Sequence, residues 1–211
     1  MILNSRIFLL GMSGHAMSVM ESLRSNNIEA NGYFDKQNHG SQWLPYLGDE
    51  NSNEVNEILF KDDILFPAVG DNKLRFRLTE WIKTQEKQQI IIQHSSAIVS
   101  KTSQIGLSSL IAAGTIVNAN AQIGVGTIIN SGAIIEHECI IDDFVHVGPG
   151  TVLTGNVKIG KFSFIGANAT IKQSVSIGKN VIIGAGSVVL SDVPDNCVYV
   201  GNPAKYLRNN E

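Results

Sequence analysis

The stretch IGVGTIINSGAIIEHECII, residues 123–141, has an aliphatic residue at every sixth position. A second series, two residues earlier, holds small or β-branched residues from Ala97 to Ser187. Residues two apart on a strand point to the same side, so both series are expected to face inward. The aliphatic series continues unbroken through Val99, Ile105, Ile111, Val117, Ile123, Ile129, Ile135, Ile141, Val147, Leu153, Ile159, Ile165, Ile171, Ile177, Ile183 and Val189.

A period of six fits neither an amphipathic helix nor a hairpin ladder. It fits a coil with three short sides, in which each turn takes about 18 residues and the turns stack about 4.8 Å apart. About five such turns are expected. The glycine that often follows the aliphatic residue, as at Gly106, Gly124 and Gly148, is expected to supply a positive φ at the corner. Residues 93–211 therefore predict a parallel β-helix with a short C-terminal tail.

Residues 1–92 lack this period and alternate between strand and helix signals. This order predicts a small parallel, Rossmann-like α/β sheet as a separate N-terminal domain. The predicted strands are Arg6–Leu10, Ile28–Phe34 and Ile64–Val69, and the predicted helices run to Ser25, near Glu54–Leu59 and over Lys73–Lys87.

The three predicted strands end in residues that suit nucleotide binding. Gly11–His15 follows a strand and opens a helix, a context in which backbone N–H groups bind phosphate. Asp35 ends the second strand, where an acid can hold a ribose hydroxyl or a base edge, and Gly70 ends the third. All three loops should meet at one sheet edge. Ordinary turn glycines and surface charges are the alternative interpretation.

Two histidines fall within the repeat, outside the inward positions. His137 and His146 are nine residues apart, half of one predicted turn, so they should project outward on opposite sides. They can share a site only across a subunit boundary, which would require an oligomer. A histidine is the usual general base near neutral pH, and Glu138 could orient His137. The alternative is a solvated corner histidine.

Bulk composition excludes several classes of protein. The net charge of −3 and the pI near 5.9 give no electrostatic support for nucleic-acid binding. Cys139 and Cys197 lack metal or redox spacing, and Ile7–Leu10 is too short to span a membrane, so a cytoplasmic protein is expected. Zinc, as in γ-class carbonic anhydrases, needs three histidines on the β-helix, and the repeat holds two; no metal is expected.

The whole chain resembles the bacterial nucleotide-linked amino-sugar N-acetyltransferases of the bacillosamine, perosamine and viosamine type, which are related to sialic acid O-acetyltransferases. The resemblance implies that the β-helix is left-handed. It is carried by GMSGH at 11–15, FDK at 34–36, AVGDN at 68–72, NSGAIIEHE at 130–138, FVHVGP at 144–149 and GNPAK at 201–205.

The resemblance also implies a site and a reaction. It implies a homotrimer that N-acetylates the 4-amino group of a nucleotide-linked 4-amino-4,6-dideoxy sugar, with UDP as the preferred nucleotide ahead of GDP and dTDP, for surface glycan or protein glycosylation. His137 would be the general base and Glu138 would raise its basicity. Acetyl-CoA, the co-substrate, would contact His146, Ala167 and Ala185. The nucleotide would contact Ser13, Gly14, His15, Asp35, Lys36 and Gly70.

Two alternatives stay open. A sialic acid O-acetyltransferase would use the same base with a different acceptor. A non-catalytic solenoid that binds nucleotide sugars would need no base, and the intact His137-Glu138 pair argues against it.

Overall fold

The computed structural model describes residues 5–52 and 55–211, and the chain divides into two compact units after Ile90. The first is an α/β unit and the second is a solenoid. The first solenoid strand, Ile92–Gln93, contains the last residue that the sequence assigned to the N-terminal domain.

The α/β unit is built on a three-stranded parallel sheet in the order β2-β1-β3. Every residue of these strands is buried, which is usual for a parallel sheet covered by helices. Glu54, in one predicted helix, lies outside the described residues. The elements are β1 (Ile7–Leu10), α1 (Gly14–Arg24), β2 (Gly32–Phe34), α2 (Val55–Ile58), β3 (Ile64–Pro67) and α3 (Asn72–Thr84).

The solenoid consists of two-residue strands separated by four-residue corners. The strands are β4 (Ile92–Gln93), β5 (Ile98–Val99), β6 (Gln104–Ile105), β7 (Leu110–Ile111), β8 (Ile116–Val117), β9 (Gln122–Ile123), β10 (Ile128–Ile129), β11 (Ile134–Ile135), β12 (Ile140–Ile141), β13 (His146–Val147), β14 (Val152–Leu153), β15 (Lys158–Ile159), β16 (Phe164–Ile165), β17 (Thr170–Ile171), β18 (Ser176–Ile177), β19 (Ile182–Ile183) and β20 (Val188–Val189), followed by a hairpin of β21 (Cys197–Val200) and β22 (Lys205–Asn209).

Three parallel sheets form the sides of the solenoid. The first face holds β4, β7, β10, β13, β16 and β19; the second face holds β5, β8, β11, β14, β17 and β20; the third face holds β6, β9, β12, β15 and β18. The first corner joins the first and second faces, the second corner joins the second and third, and the third corner joins the third to the first.

The solenoid has about six turns, so the prediction of five turns was too low. The aliphatic series underestimates the length at its start, because the first strand has an exposed glutamine, Gln93, at the position that pairs with the inward Ile111. At the other end, β21 pairs in parallel with β19, and β22 then reverses direction to pair antiparallel with β21. This hairpin covers the end of the stack, which is the usual requirement of a repeat protein.

The inward positions form one continuous core. From Ile111 to Ile183, each aliphatic residue of the six-residue series is at most 4% exposed. From Ser109 to Ser163, the hydroxyls of the small inward series donate to a carbonyl oxygen 15 residues ahead, for example from Thr151 to Gly166 at 2.9 Å and from Ser163 to Gly178 at 2.7 Å. Serine and threonine therefore fit an apolar core because each of these hydroxyls has a partner on the next turn.

The corners place their left-handed residue two positions later than predicted. At every sixth residue from Ser108 to Gly186, the third residue after the aliphatic one, φ lies between 52° and 68°. The glycines that directly follow the aliphatic residue are required for a different reason. A Cβ on Gly166 would lie 2.5 Å from the backbone nitrogen of Ala185, so glycine is needed there because two turns approach closely.

Among the described residues, no helix has the length and hydropathy needed to cross a membrane.

Candidate active site

His137 and Glu138 lie together at the second corner. The Nδ1 atom of His137 is 3.2 Å from Oε2 of Glu138, and the two side chains are 54% and 61% exposed in the single chain. Glu138 occupies the left-handed corner position, with φ at 60°. When Glu138 accepts a hydrogen bond from Nδ1, the tautomer leaves the lone pair on Nε2, which is the form a general base needs.

His146 lies on the first face, at an outward position of β13. Its side chain is nevertheless covered, since the residue is only 9% exposed. The Nε2 atom lies 3.1 Å from Nδ2 of Asn130, and the ring meets that of Phe164 edge-on at 5.0 Å. His146 therefore points away from the solenoid core as expected, but its own neighbours shield most of it from solvent.

The two histidines stand on opposite sides of the solenoid. The second corner, which carries His137, lies opposite the first face, which carries His146. One chain therefore cannot bring both imidazoles to one small substrate.

Ala167 and Ala185 stack on successive turns of the first corner, where the backbone nitrogen of Gly186 donates to the carbonyl oxygen of Ala167 at 2.8 Å. This corner is nearly free of large side chains. Its two central residues on five successive turns are Ala113 and Gly114, Ser131 and Gly132, Pro149 and Gly150, Ala167 and Asn168, and Ala185 and Gly186. The first corner thus presents mainly backbone, in contrast to the second.

In the α/β unit, the loop after β1 and the end of β3 come together. A Cβ on Gly70 would lie 3.9 Å from the Cβ of His15. Ser13 and Gly14 are exposed at the start of α1, and the Ser13 side chain makes no capping bond to the described part of the chain. Because β1 is central in the sheet order, this edge is a topological switch point, where open α/β sheets bind ligands.

The Asp35 carboxylate is already bonded to the protein. Its Oδ2 accepts from the backbone nitrogen of Met12 at 3.0 Å and lies 3.1 Å from Nε2 of His39. Its Oδ1 accepts from the backbone nitrogen of Lys36 at 2.7 Å. Asp35 therefore joins the Gly11–His15 loop to the loop that follows β2.

Two features of this edge were not predicted from the sequence. Arg75, 1% exposed, donates to the carbonyl oxygen of Gly70 at 2.9 Å and to Oδ1 of Asn72 at 2.7 Å, and so braces the loop after β3. Burial lowers the pKa of Arg75 to about 9, while the nearby Asp71 opposes that shift. An arginine on a helix with alternating charges resembles a surface residue, so the sequence gives no sign of its burial.

The second feature is a cleft of about 280 Å³ beside this edge. It contains the exposed Trp43 and also His39, to which the sequence assigned no role. The polar loop after Lys36 has no period or motif that could have indicated it. The lining residues are Met12, Met17, His39, Gly40, Ser41, Gln42 and Trp43.

Over residues 5–52 and 55–211, no group of three or more histidine, cysteine, aspartate or glutamate side chains is arranged to hold a metal ion.

A small parallel α/β unit followed by a hexapeptide solenoid with a His–Glu pair at a corner defines a class, the two-domain hexapeptide-repeat acyltransferases. Family models support this class. Residues 6–82 match the PglD N-terminal domain, and residues 156–191 match the bacterial transferase hexapeptide (six repeats).

Solved structures match over nearly the whole chain. A variant of perosamine N-acetyltransferase from Caulobacter crescentus, in complex with CoA and GDP-perosamine, is 32% identical and has a TM-score of 0.92, with 98% of each chain covered. The acetyltransferase domain of PglB from Neisseria gonorrhoeae, in complex with acetyl coenzyme A, is 32% identical with a TM-score of 0.91, covering 97% of this chain and 100% of that one. WeeI from Acinetobacter baumannii is 26% identical with a TM-score of 0.87, covering 97% and 100%.

The chain belongs to the PglD-type hexapeptide-repeat acetyltransferase family. The predicted family, fold class and acyltransferase class are thereby confirmed. A curated relative, an uncharacterized protein of Acanthamoeba polyphaga mimivirus, is 31% identical over 114 residues, and the chain spans about a fifth, 22%, of its length.

Proposed function

We propose that this chain transfers the acetyl group of acetyl-CoA to the 4-amino group of a nucleotide-linked 4-amino-4,6-dideoxy sugar. The observation that carries the proposal is the His137–Glu138 pair at the second corner, with Nδ1 and Oε2 3.2 Å apart. Two relatives, crystallised with GDP-perosamine and CoA and with acetyl coenzyme A, support the choice of substrates.

The transfer is direct in this proposal. The sugar amine attacks the thioester carbonyl carbon, and Nε2 of His137 takes the proton that the amine loses as the C–N bond forms. Glu138 stabilises the resulting imidazolium through Nδ1. When the C–S bond breaks, His137 returns that proton to the departing sulfur of CoA. No acyl-enzyme is needed, and binding both substrates side by side removes much of the entropic barrier to their meeting.

We propose that the active form is a homotrimer, because the second face exposes apolar side chains that a neighbouring subunit would bury. Its outward residues are mostly β-branched and apolar, and Ile98 is 67% exposed in the single chain. The outward residues of the third face, in contrast, include Gln104, Gln122 and Lys158. Packing the second faces around a three-fold axis would bury these outward residues, all apolar except Thr170: Ile98, Ile116, Ile134, Val152, Thr170 and Val188.

The same packing would complete the active site. The second face is bounded by the first corner on one side and the second corner on the other. Around a three-fold axis, the second corner of one subunit meets the first corner of the next. His137 would then face the stacked Ala167 and Ala185 of its neighbour, along which acetyl-CoA would lie near His146.

In the proposal, the α/β unit binds the nucleotide at the edge formed by Gly11–His15, Lys36 and Gly70. Its phosphates would be bound at the start of α1, where Ser13 and Gly14 are exposed. Asp35 would act mainly by fixing the loop, because protein groups already contact both of its oxygens. UDP remains the first nucleotide to test, with GDP and dTDP beside it.

The test is an assay of CoA release with acetyl-CoA and a panel of UDP-, GDP- and dTDP-linked 4-amino-4,6-dideoxy sugars, with sialic acid as an O-acceptor. The expected result is saturable turnover on at least one amino sugar, with the N-acetyl product identified by mass spectrometry. Turnover on sialic acid alone would contradict N-acetylation in favour of the O-acetyltransferase. A lack of turnover on every acceptor would support the non-catalytic solenoid.

A further inference from the structure

Gly155 lies at the second corner, one turn further along than His137. The backbone nitrogen of Asn156 donates to the carbonyl oxygen of His137 at 2.9 Å, which fixes the two turns against each other. The equivalent position holds Ala119, His137 and Gln173 on three other turns, so this place in the repeat accepts a side chain. Gly155 is also absent from the residues with positive φ among those described. The backbone therefore gives no reason for glycine here.

The reason for the glycine is the imidazole ring. A Cβ on Gly155 would lie 2.7 Å from Cε1, 2.7 Å from Nε2 and 3.4 Å from Nδ1 of His137. These three ring atoms are the nearest neighbours of that Cβ. This contact differs from that of Gly166, where the obstructing atoms belong to the backbone of the next turn. At Gly155 the ring occupies the space that a side chain would fill.

We infer that Gly155 is a positioning residue for His137. This inference rests on the proposed function, in which His137 is the general base. Glu138 holds the ring through Nδ1, and the missing side chain of Gly155 lets the Cε1–Nε2 edge lie against the corner. A methyl group at Gly155 would displace that edge, and with it the nitrogen that takes the proton.

The fold should tolerate such a methyl group. The ring is the mobile end of a side chain that is 54% exposed, so it can rotate outward without moving the backbone. The effect of the methyl group should therefore fall on catalysis, not on folding. A displacement of about 1 Å in a reacting group can lower a rate about a hundredfold.

The experiment compares Gly155→Ala with Gln173→Ala, a control at the same corner position one turn further. We expect Gly155→Ala to lower kcat roughly tenfold to a hundredfold, with KM for acetyl-CoA within about twofold of the unmodified protein. The melting temperature should stay close to that of the unmodified protein, and a crystal structure should show the His137 ring displaced. The Gln173→Ala protein should keep its kcat.

A double-variant cycle separates positioning from other roles. If Gly155 acts through His137, adding Gly155→Ala to His137→Ala should change the residual rate by less than about twofold. An equal loss in both backgrounds would overturn the inference, as would an unchanged kcat or an unmoved ring in Gly155→Ala. Failure of that variant to fold would also overturn it. If the unmodified protein acetylates no acceptor, the proposed function fails. The position of the His137 ring in the crystal structure of Gly155→Ala then decides by itself whether Gly155 positions that ring.

Discussion

The first and second corners of the solenoid share one backbone and differ in what they expose. Both have a left-handed residue at the same position on successive turns, such as Gly132 at the first corner and Glu138 at the second. The first presents mainly glycine, alanine and serine, whereas the second presents Glu136, His137 and Glu138 on a single turn. The comparison indicates that the repeat provides geometry, and that departures from the repeat provide the chemistry.

The largest expected effect is at the second corner. His137→Ala should lower kcat by about 10²–10⁴, the usual contribution of a general base. KM for acetyl-CoA should change little, because the proposed CoA platform is the first corner. Steady-state kinetics on the accepted amino sugar would measure both constants. The control is His94→Ala, which removes another solenoid histidine, at the first corner but four turns before Gly166 and the proposed CoA contacts. Near-normal turnover by His137→Ala would refute the role of His137 as the general base.

The next effect concerns the second face, which lies between the two corners. Ile134→Glu places a charge where subunits are proposed to meet, and burying an unpaired charge is strongly unfavourable. We expect the trimer to dissociate and turnover to fall at least tenfold. Gln122→Glu, on the exposed third face, is the matched control and should leave the trimer intact. Light scattering measures the assembly, and a fully active monomer would contradict the shared site.

A smaller effect, on stability, distinguishes the corner glycines required by close approach of two turns from those required by positive φ. Gly166→Ala would drive a Cβ into the backbone of the next turn and should destabilise the solenoid by about 3 kcal/mol. Gly132→Ala would meet no atom of the described residues within 4 Å, but its φ of +66° should cost about 1 kcal/mol. Thermal unfolding at equal protein concentration compares them. The opposite order would show that dihedral strain, not close approach, selects these glycines.

The smallest effect is in the core. Burial raises the pKa of the Cys139 thiol from 9.0 to about 11. The folded protein therefore keeps a proton that the unfolded chain loses above about pH 9, so this contribution to stability declines as pH rises from 9 toward 11. Cys139→Ala should flatten the pH dependence of the melting temperature in that range. An unchanged slope would assign the dependence to other groups.

The inward register could be predicted from the sequence because a period of six residues is repeated over many turns. The same period placed His137 and His146 on opposite sides, as the structure has them. The prediction of the corner geometry was wrong. Glycine is selected both by positive φ and by close approach of two turns, and the sequence does not distinguish these causes. The engagement of Asp35 by Met12 and His39 depends on loop contacts that follow no period.

The central claim is that His137 of one subunit works with the first corner of the next. Mixed trimers of two inactive variants test it most directly: His137→Ala, which lacks the base, and Ala167→Trp, which would block the first corner. If the site is shared, random mixing should restore activity to about a quarter of the unmodified level, since about one interface in four pairs an intact His137 with an intact corner. If trimers shown by mass spectrometry to be mixed stay inactive, the claim is contradicted.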